Sequence, residues 1–246
     1  MKTTIFQDGK SIRIKVAPEA TPQETYAVQE LCSYLERMTS TAFETAQEGY
    51  DGPVIAVGKA AEEYGVLFDG RDDDFVLKTV GENLCIAGGK RGVIYGVYEL
   101  LEKLGCRFFT ATCEKVPFVT EILLDELDEA QSPDFIYREH NYYELRQYTK
   151  FAVKSRLNGQ QHPISEKYGG HVQYAWFVHT FENLVSPQEY GETHPEYFAM
   201  DKDGVRQLVP FKNQLCLSNP EILPIAVAAV RKCLAEHPEA EIISIS

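Results

Sequence analysis

Four consecutive polar residues near the middle of the chain carry side chains suited to a polyhydroxylated ligand. They are Arg138, Glu139, His140 and Asn141. They lie in or just past an aromatic-rich segment, residues 135–143, that has the character of a strand, so alternation places Arg138 and His140 on one side and the other two on the opposite side. Guanidinium and imidazole groups can hydrogen-bond sugar hydroxyls. The alternative is a surface ion pair of Arg138 with Glu139 or Glu144.

Two residues further along the chain are candidates for the same site. Asn158 ends a predicted helical region, and its amide offers both a donor and an acceptor to hydroxyl groups. It could equally serve as a helix C-cap without any ligand. His179 follows the apolar residues 175–178 and would stand at a strand end, where it binds a ligand or, alternatively, lies in the core bonded to backbone.

Histidines and glutamates cluster between residues 162 and 196, a composition that raises the question of a metal ion. The histidines are His162, His171, His179 and His194, and the glutamates are Glu166, Glu182 and Glu196. No two of the histidines show the i, i+4 or His-x-His spacing that places two ligands on one face. The glycines at 88, 89 and 92 match neither the GxGxxG nor the Walker pattern. The sequence therefore predicts no metal and no cofactor.

The composition narrows the class of partner. Among 246 residues, 37 acidic against 24 basic side chains give a formal net charge of −13, and no Lys/Arg run could follow a phosphate backbone or an anionic bilayer. We therefore expect neither nucleic acid nor membrane as a partner. A carbohydrate suits an acidic chain with 14 Tyr and 13 Phe, because aromatic rings stack on sugar faces. Without a signal-like N-terminus the predicted location is cytoplasmic, or secreted or periplasmic if a signal has been removed.

The first half of the chain shows the pattern of a small α/β domain. Residues 11–16 alternate apolar and charged side chains as in a half-buried strand. Thr21 and Glu24 form a capping box at the start of a long amphipathic helix. An apolar strand at 52–58 and a hairpin turning near Gly81 follow.

A second helix begins at the glycines 88–92 and ends at Gly105. These elements predict a small α+β sheet domain, residues 1–128, with two long helices on one face.

Residues 133–246 predict a different unit. Strand, helix, strand, helix and strand follow one another, with strands at 135–143, 214–217 and 241–246 and helices at 145–157 and after Pro220. Crossovers of this length imply parallel pairing. A complete eight-stranded α/β barrel needs roughly 250 residues. The predicted fold class is therefore α/β, with the small domain followed by a truncated (β/α)8 TIM barrel. Its last strand would present an unpaired edge, which predicts a possible homodimer.

Several segments resemble known families. Residues 88–109, GGKRGVIYGVYELLEKLGCRFF, resemble the second helix of the small domain that precedes the barrel in family 67 α-glucuronidases and family 20 β-hexosaminidases. The second half is similar to the bacterial domain-of-unknown-function family 4838 in three segments: residues 179–181 (HTF), 194–198 (HPEYF) and 214–220 (QLCLSNP).

The resemblance implies a barrel with its sugar site at the carboxyl ends of the strands. The related hexosaminidases hold sugar hydroxyls with an arginine on the first strand, which favours Arg138 and His140 as the pair facing the site. Their catalytic acid follows the fourth strand, which implies an acid just after Ser246 if residues 241–246 are that strand. No catalytic residue is assigned within the chain.

The resemblance thus implies the N-terminal part of a glycoside hydrolase acting on a uronic acid or amino sugar, with the fragment inactive by itself. Arg138, His140, Asn158 and His179 are its predicted sugar-binding residues. The alternative is a non-catalytic carbohydrate-binding or interaction protein with the same architecture.

Overall fold

In the computed structural model, which describes residues 2–209 and 213–246, a five-stranded sheet forms the centre of the N-terminal half. The strands of this half are β1 (Lys2–Gln7), β2 (Lys10–Ser11), β3 (Arg13–Val16), β4 (Val54–Val57), β5 (Phe75–Val80), β6 (Asn83–Gly88), β7 (Arg107–Phe108), β8 (Glu114–Lys115), β9 (Ile122–Asp125) and β10 (Asp128–Gln131). The central sheet has the order β10-β5-β6-β4-β3. Strands β3, β4 and β6 are parallel, whereas β5 is antiparallel to β6 and β10 antiparallel to β5. A smaller sheet, β2-β1-β9, and the β7-β8 pair complete the strands.

The first long helix, α1 (Pro22–Thr39), begins at the predicted capping box. The Thr21 hydroxyl accepts a hydrogen bond from the Glu24 N–H at 3.2 Å, and Glu24 Oε2 accepts one from the Thr21 N–H at 2.7 Å. The second carboxylate oxygen of Glu24 accepts the N–H of Lys59 at 2.6 Å. One side chain therefore caps the helix and ties its start to the end of β4.

Both long helices pack on the same face of the sheet, as the sequence predicts. Helix α2 (Gly92–Lys103) buries Ile94, Val97 and Leu101 in one core with Leu31 and Leu35 of α1. Small side chains of β4 and β6 cover the opposite face in a separate apolar cluster with the 3-10 helix Gly58–Tyr64. Helix α2 is therefore packed in the main core together with α1. The N-terminal turn of α2 lies beside the candidate site.

The turn into α2 requires glycine for reasons of space. A Cβ on Gly92 would lie 1.9 Å from the Asp74 carbonyl oxygen, and one on Gly89 would lie 2.2 Å from that of Arg71. Strand β6 ends at Gly88 and α2 begins at Gly92, so the predicted start of the second helix at the glycines 88–92 is confirmed.

The chain divides into two compact units, Met1–His171 and Val172–Ser246. The sequence-based boundary between residues 128 and 133 lies inside the first unit, because β10 pairs with β5 and because Val153 and Ile164 belong to the same core as α1 and α2.

The described residues after 133 contain no regular strand of the expected barrel. Within residues 132–209 and 213–246 the backbone has only three isolated bridges: Tyr174 to Ile242, Phe198 to Leu215 and Met200 to Arg206. The predicted strand at 135–143 is irregular, since no ladder partner pairs with it, and an extended segment becomes a strand only through such pairing. A truncated TIM barrel is not confirmed, and the observed class is mixed α/β.

The helices that follow residue 133 are mostly short. They are α3 (Tyr143–Gln147), α4 (Thr149–Lys154), α5 (Phe181–Leu184), α6 (Pro187–Tyr190) and α7 (Ile222–Glu236). The predicted helix at 145–157 is therefore replaced by α3 and α4, whereas the helix predicted after Pro220 is confirmed as α7. None of the helices in the described part of the chain combines the length and apolarity needed to span a bilayer.

Candidate functional site

Three of the four predicted sugar-binding residues lie together in the first unit. The segment 136–142 runs beside the segment 157–162, and the Asn158 side-chain oxygen accepts the Arg138 N–H at 2.8 Å. The Asn158 N–H in turn donates to the Arg138 carbonyl at 3.1 Å. The His140 N–H donates to Nε2 of His162 at 3.3 Å. The fourth residue, His179, lies in the second unit, exposed and with a left-handed backbone at φ 59°.

Asn158 is completely buried, and protein groups occupy its amide. Its Nδ2 donates to Asp73 Oδ2 at 3.0 Å and to the Ile136 carbonyl at 2.8 Å. It does not cap a helix, since α4 ends at Lys154 and Ser155 is the capping position. The structure therefore places Asn158 as a bridge between the two segments.

Arg138 and Arg91 share the buried carboxylate of Asp73. Arg91 donates through Nε at 2.6 Å and through Nη2 at 3.2 Å to the two oxygens of that carboxylate. The Arg138 Nη2 lies 3.3 Å from Asp73 Oδ1, and its Nε donates to the Arg156 carbonyl at 2.7 Å. Burial opposes the charge of Arg91, but the adjacent Asp73 outweighs burial and raises the arginine pKa above its ordinary value.

Asp73, Arg91 and Arg138 together form what we call the Asp73 cluster, and the sequence did not predict it. The sequence suggested Glu139 or Glu144 as ion-pair partners of Arg138, because both are near it in the chain. Asp73 instead precedes β5 and is distant in sequence. The only sequence signal was the arginine within the glycine-rich turn before α2, and that signal does not identify its partner. Arg138 is therefore an anchor of the segment: its Nε and Nη1 donate to the Arg156 and Phe135 carbonyls, and its Nη2 lies beside Asp73.

His162 lies beneath His140 as a buried neutral imidazole. Its Nδ1 donates to the Leu145 carbonyl at 3.3 Å, while its Nε2 accepts from the His140 N–H. Burial, the largest cause, lowers the pKa of His162 below its ordinary value. Protonation would convert Nε2 from acceptor to donor and break the bond that fixes His140.

This geometry predicts a specific pH dependence. Because the folded pKa of His162 is depressed, its contribution to stability is fully present above the unfolded value of about 6.5 and is lost as the pH falls through the folded pKa. We expect His162→Gln to reduce the loss of unfolding free energy between pH 7.5 and pH 5. Urea denaturation of both proteins at several pH values measures this. An identical pH dependence in the two proteins would contradict the assignment.

Glu139 is bonded entirely within its own neighbourhood. Its carboxylate accepts the Tyr137 hydroxyl at 2.6 Å, the Gln161 N–H at 2.8 Å and the Gln161 side-chain amide at 3.0 Å. These bonds fix the segment 137–139 against residues 160–162. They also leave the Glu139 oxygens largely occupied.

Two exposed rings on this segment, those of His140 and Tyr142, remain available to a ligand. Both are exposed, and their ring centroids lie 3.9 Å apart at an interplanar angle of 39°. The Tyr142 N–H donates to His140 Nδ1 at 3.1 Å, which fixes the histidine ring. The rings form an outward-facing pair on a buried polar base, an arrangement that can stack on a sugar face and bond its hydroxyls. We name it the His140–Tyr142 pair.

The second unit has a cleft of its own, with a volume of about 640 Å³. Trp176 and Tyr190 supply aromatic surface, and Lys232 and Glu236 of α7 supply charged groups. Its size is in the range of small-molecule sites.

A cluster with metal-binding potential also lies in the second unit. One ligand atom each of His194, Glu196 and Glu221 lies within 4.8 Å of the others. His194 and Glu196 are two residues apart in the sequence, and the fold brings Glu221, the residue before α7, close to them.

Comparison with known proteins identifies a family and a fold. Residues 108–246 match the model of the domain of unknown function DUF4838. No curated protein matches the sequence. The 4-O-methyl-α-glucuronidase BtGH115A of family GH115, described as specific for decorated arabinogalactans, is similar in structure with a TM-score of 0.52 at 15% identity, over 68% of this chain and 29% of that one.

The β-N-acetylhexosaminidase of family GH20 from Streptomyces coelicolor A3(2) gives a TM-score of 0.47 at 15% identity, over 98% of this chain and 55% of that one. The chain thus spans less than a third of BtGH115A and about half of the GH20 enzyme.

Proposed function

We propose, from the premise that this chain belongs to the DUF4838 family, that it contributes a carbohydrate-binding surface to a glycoside-hydrolase-like protein. The observation that carries the proposal is the exposed His140–Tyr142 pair, which is held by two hydrogen bonds, from the His140 N–H to buried His162 and from the Tyr142 N–H to the His140 ring. A rigid base lowers the entropy lost when a ligand binds, which is how weak stacking contacts become useful.

The chemistry of the surface supports a sugar over other ligands. A tyrosine ring offers an apolar face, and the adjacent imidazole can bond hydroxyl groups, which together match the two characters of a pyranose ring. The formal net charge of −13 disfavours a phosphate-rich polymer. The fold similarity to BtGH115A, a 4-O-methyl-α-glucuronidase, makes a uronic acid the first ligand to test, and an amino sugar the second.

The predicted residues take different roles in this proposal. His140 contacts the sugar, while Arg138 and Asn158 position the segment that carries it. His179 remains a proposed sugar contact of the second unit. We assign no catalytic acid or base, because Glu139, the carboxylate nearest the pair in sequence, accepts three bonds from protein groups.

The test is sugar binding by matched aromatic variants. Tyr142→Ala removes a ring that is 68% exposed, and Phe118→Ala, 69% exposed, is its control within the same unit. We expect Tyr142→Ala to weaken binding of a methyl uronide or N-acetylamino sugar about fivefold, because a stacking contact contributes on the order of 1 kcal/mol. Isothermal titration calorimetry measures it.

Equal affinity in Tyr142→Ala, Phe118→Ala and the parent protein would refute the site. An assay of aryl uronides and aryl glycosides on the whole protein then distinguishes hydrolysis from binding alone. Binding without turnover would favour the non-catalytic alternative.

A further inference from the structure

We propose that His194, Glu196 and Glu221 bind a divalent transition-metal ion of the Zn²⁺ class. All three residues lie within the second unit, and none of them belongs to the His140–Tyr142 pair. It is the one group of three or more potential ligands that lie this close together in the described part of the chain.

The three ligands come from two places in the fold. His194 and Glu196 flank Pro195 at the start of a 3-10 turn, Pro195–Tyr197, and the His194 Nδ1 lies 2.9 Å from Glu196 Oε1. Glu221 comes from the residue before α7. Ligand atoms on a tetrahedral zinc ion with bonds of about 2.0–2.2 Å are separated by slightly more than 3 Å. Since all three side chains are at least partly accessible, small rotations bring atoms now within 4.8 Å to that spacing.

The surrounding structure holds these side chains near one another. The His194 ring stacks on Tyr197 with centroids 4.7 Å apart and planes 5° from parallel. The Tyr197 hydroxyl donates to Glu221 Oε2 at 3.1 Å. The Glu221 N–H donates to the Asn219 side-chain oxygen at 3.0 Å. Bonds of this kind to ligand residues orient them and support metal affinity.

The donor set favours zinc-like ions over calcium or magnesium. An imidazole nitrogen with two carboxylates suits zinc, iron or nickel, whereas Ca²⁺ takes six to eight oxygen ligands. Three protein ligands also leave a coordination position open to water or substrate.

The chain provides an internal comparison for this site. His237 and Glu239 have the same His-x-Glu spacing, with His237 Nδ1 3.2 Å from Glu239 Oε1 and side chains exposed to a similar degree. Among the described residues, no third ligand completes a group around His237. A His-x-Glu pair therefore occurs twice, and only the first has an added carboxylate.

The experiment is calorimetric titration of tag-free, chelator-treated full chain with ZnCl2 and, separately, CaCl2. We expect one zinc per chain, a higher melting temperature with zinc, and no response to calcium at equal concentration. Glu221→Gln and His194→Gln should each weaken zinc binding by on the order of 100-fold, and Tyr197→Phe about tenfold, since orienting groups contribute 10- to 100-fold. His237→Gln should bind as the parent does.

Each result decides the proposal. Glu221→Gln keeps the volume of the side chain, and its melting temperature without metal shows whether the variant is folded. Zinc binding that is unchanged in folded Glu221→Gln, or weakened equally by His237→Gln, would overturn the site. An absence of zinc binding to the parent chain would also overturn it, without affecting the sugar proposal.

Discussion

Asp73→Asn is expected to lower the free energy of unfolding by about 3–5 kcal/mol, because it removes the shared negative charge from two arginines. The Arg91 side chain is only 7% exposed and that of Arg138 17%, so water cannot replace the lost partner. Asparagine has nearly the volume of aspartate, which makes the charge the main difference. Urea denaturation at neutral pH measures the effect.

Asp72→Asn is the matched control. It removes the neighbouring carboxylate, which is 60% exposed and 3.8 Å from Arg91, and we expect a change within about 0.5 kcal/mol. Asp73→Asn should also speed hydrogen exchange at the amides of Arg138 and Asn158, because the cluster holds their segments together. Equal stability of the two variants would show that the Asp73 cluster is not an anchor.

Gly92→Ala is the second substitution for which we expect a large change in the free energy of unfolding, and helix propensity and crowding predict opposite signs for that change. Alanine is the better helix former, so propensity alone predicts a gain of about 0.5–1 kcal/mol at this first residue of α2. The structure predicts a loss of about 3 kcal/mol instead, since the added Cβ would meet the Asp74 carbonyl oxygen at 1.9 Å. Thermal and urea denaturation measure the change.

Gly81→Ala separates crowding from backbone strain. Gly81 has φ 61°, and its added Cβ would meet nothing within 4 Å, so only the left-handed conformation costs energy, about 1–2 kcal/mol. A Gly92→Ala protein as stable as the parent would mean that the turn before α2 can move away from Asp74.

Local signals made the first half of the fold predictable. The capping box at Thr21 and Glu24 uses residues three positions apart, and the apolar period of α2 lies within one helix. The interacting residues of such features are only a few positions apart, so the local sequence is enough to identify them.

The remainder depends on distant partners. The segment 135–143 has strand-like residues, but a strand also needs a ladder partner, which the sequence does not identify. The same limit applies to the sites. The sequence proposed Arg138 as a sugar ligand but could not show that its side chain lies against Asp73. It gave no reason to expect a metal ion at His194, because Glu221 joins His194 only in the folded chain.

The most direct test of the account is the location of bound sugar on the chain. Titration of ¹⁵N-labelled protein with methyl glucuronide and with methyl N-acetylglucosaminide reports the amides that change. We expect shifts concentrated at residues 137–142 and 160–162, and we expect Tyr142→Ala to abolish them. Shifts confined to the cleft around Trp176 and Tyr190, or no shifts with either sugar, would contradict it.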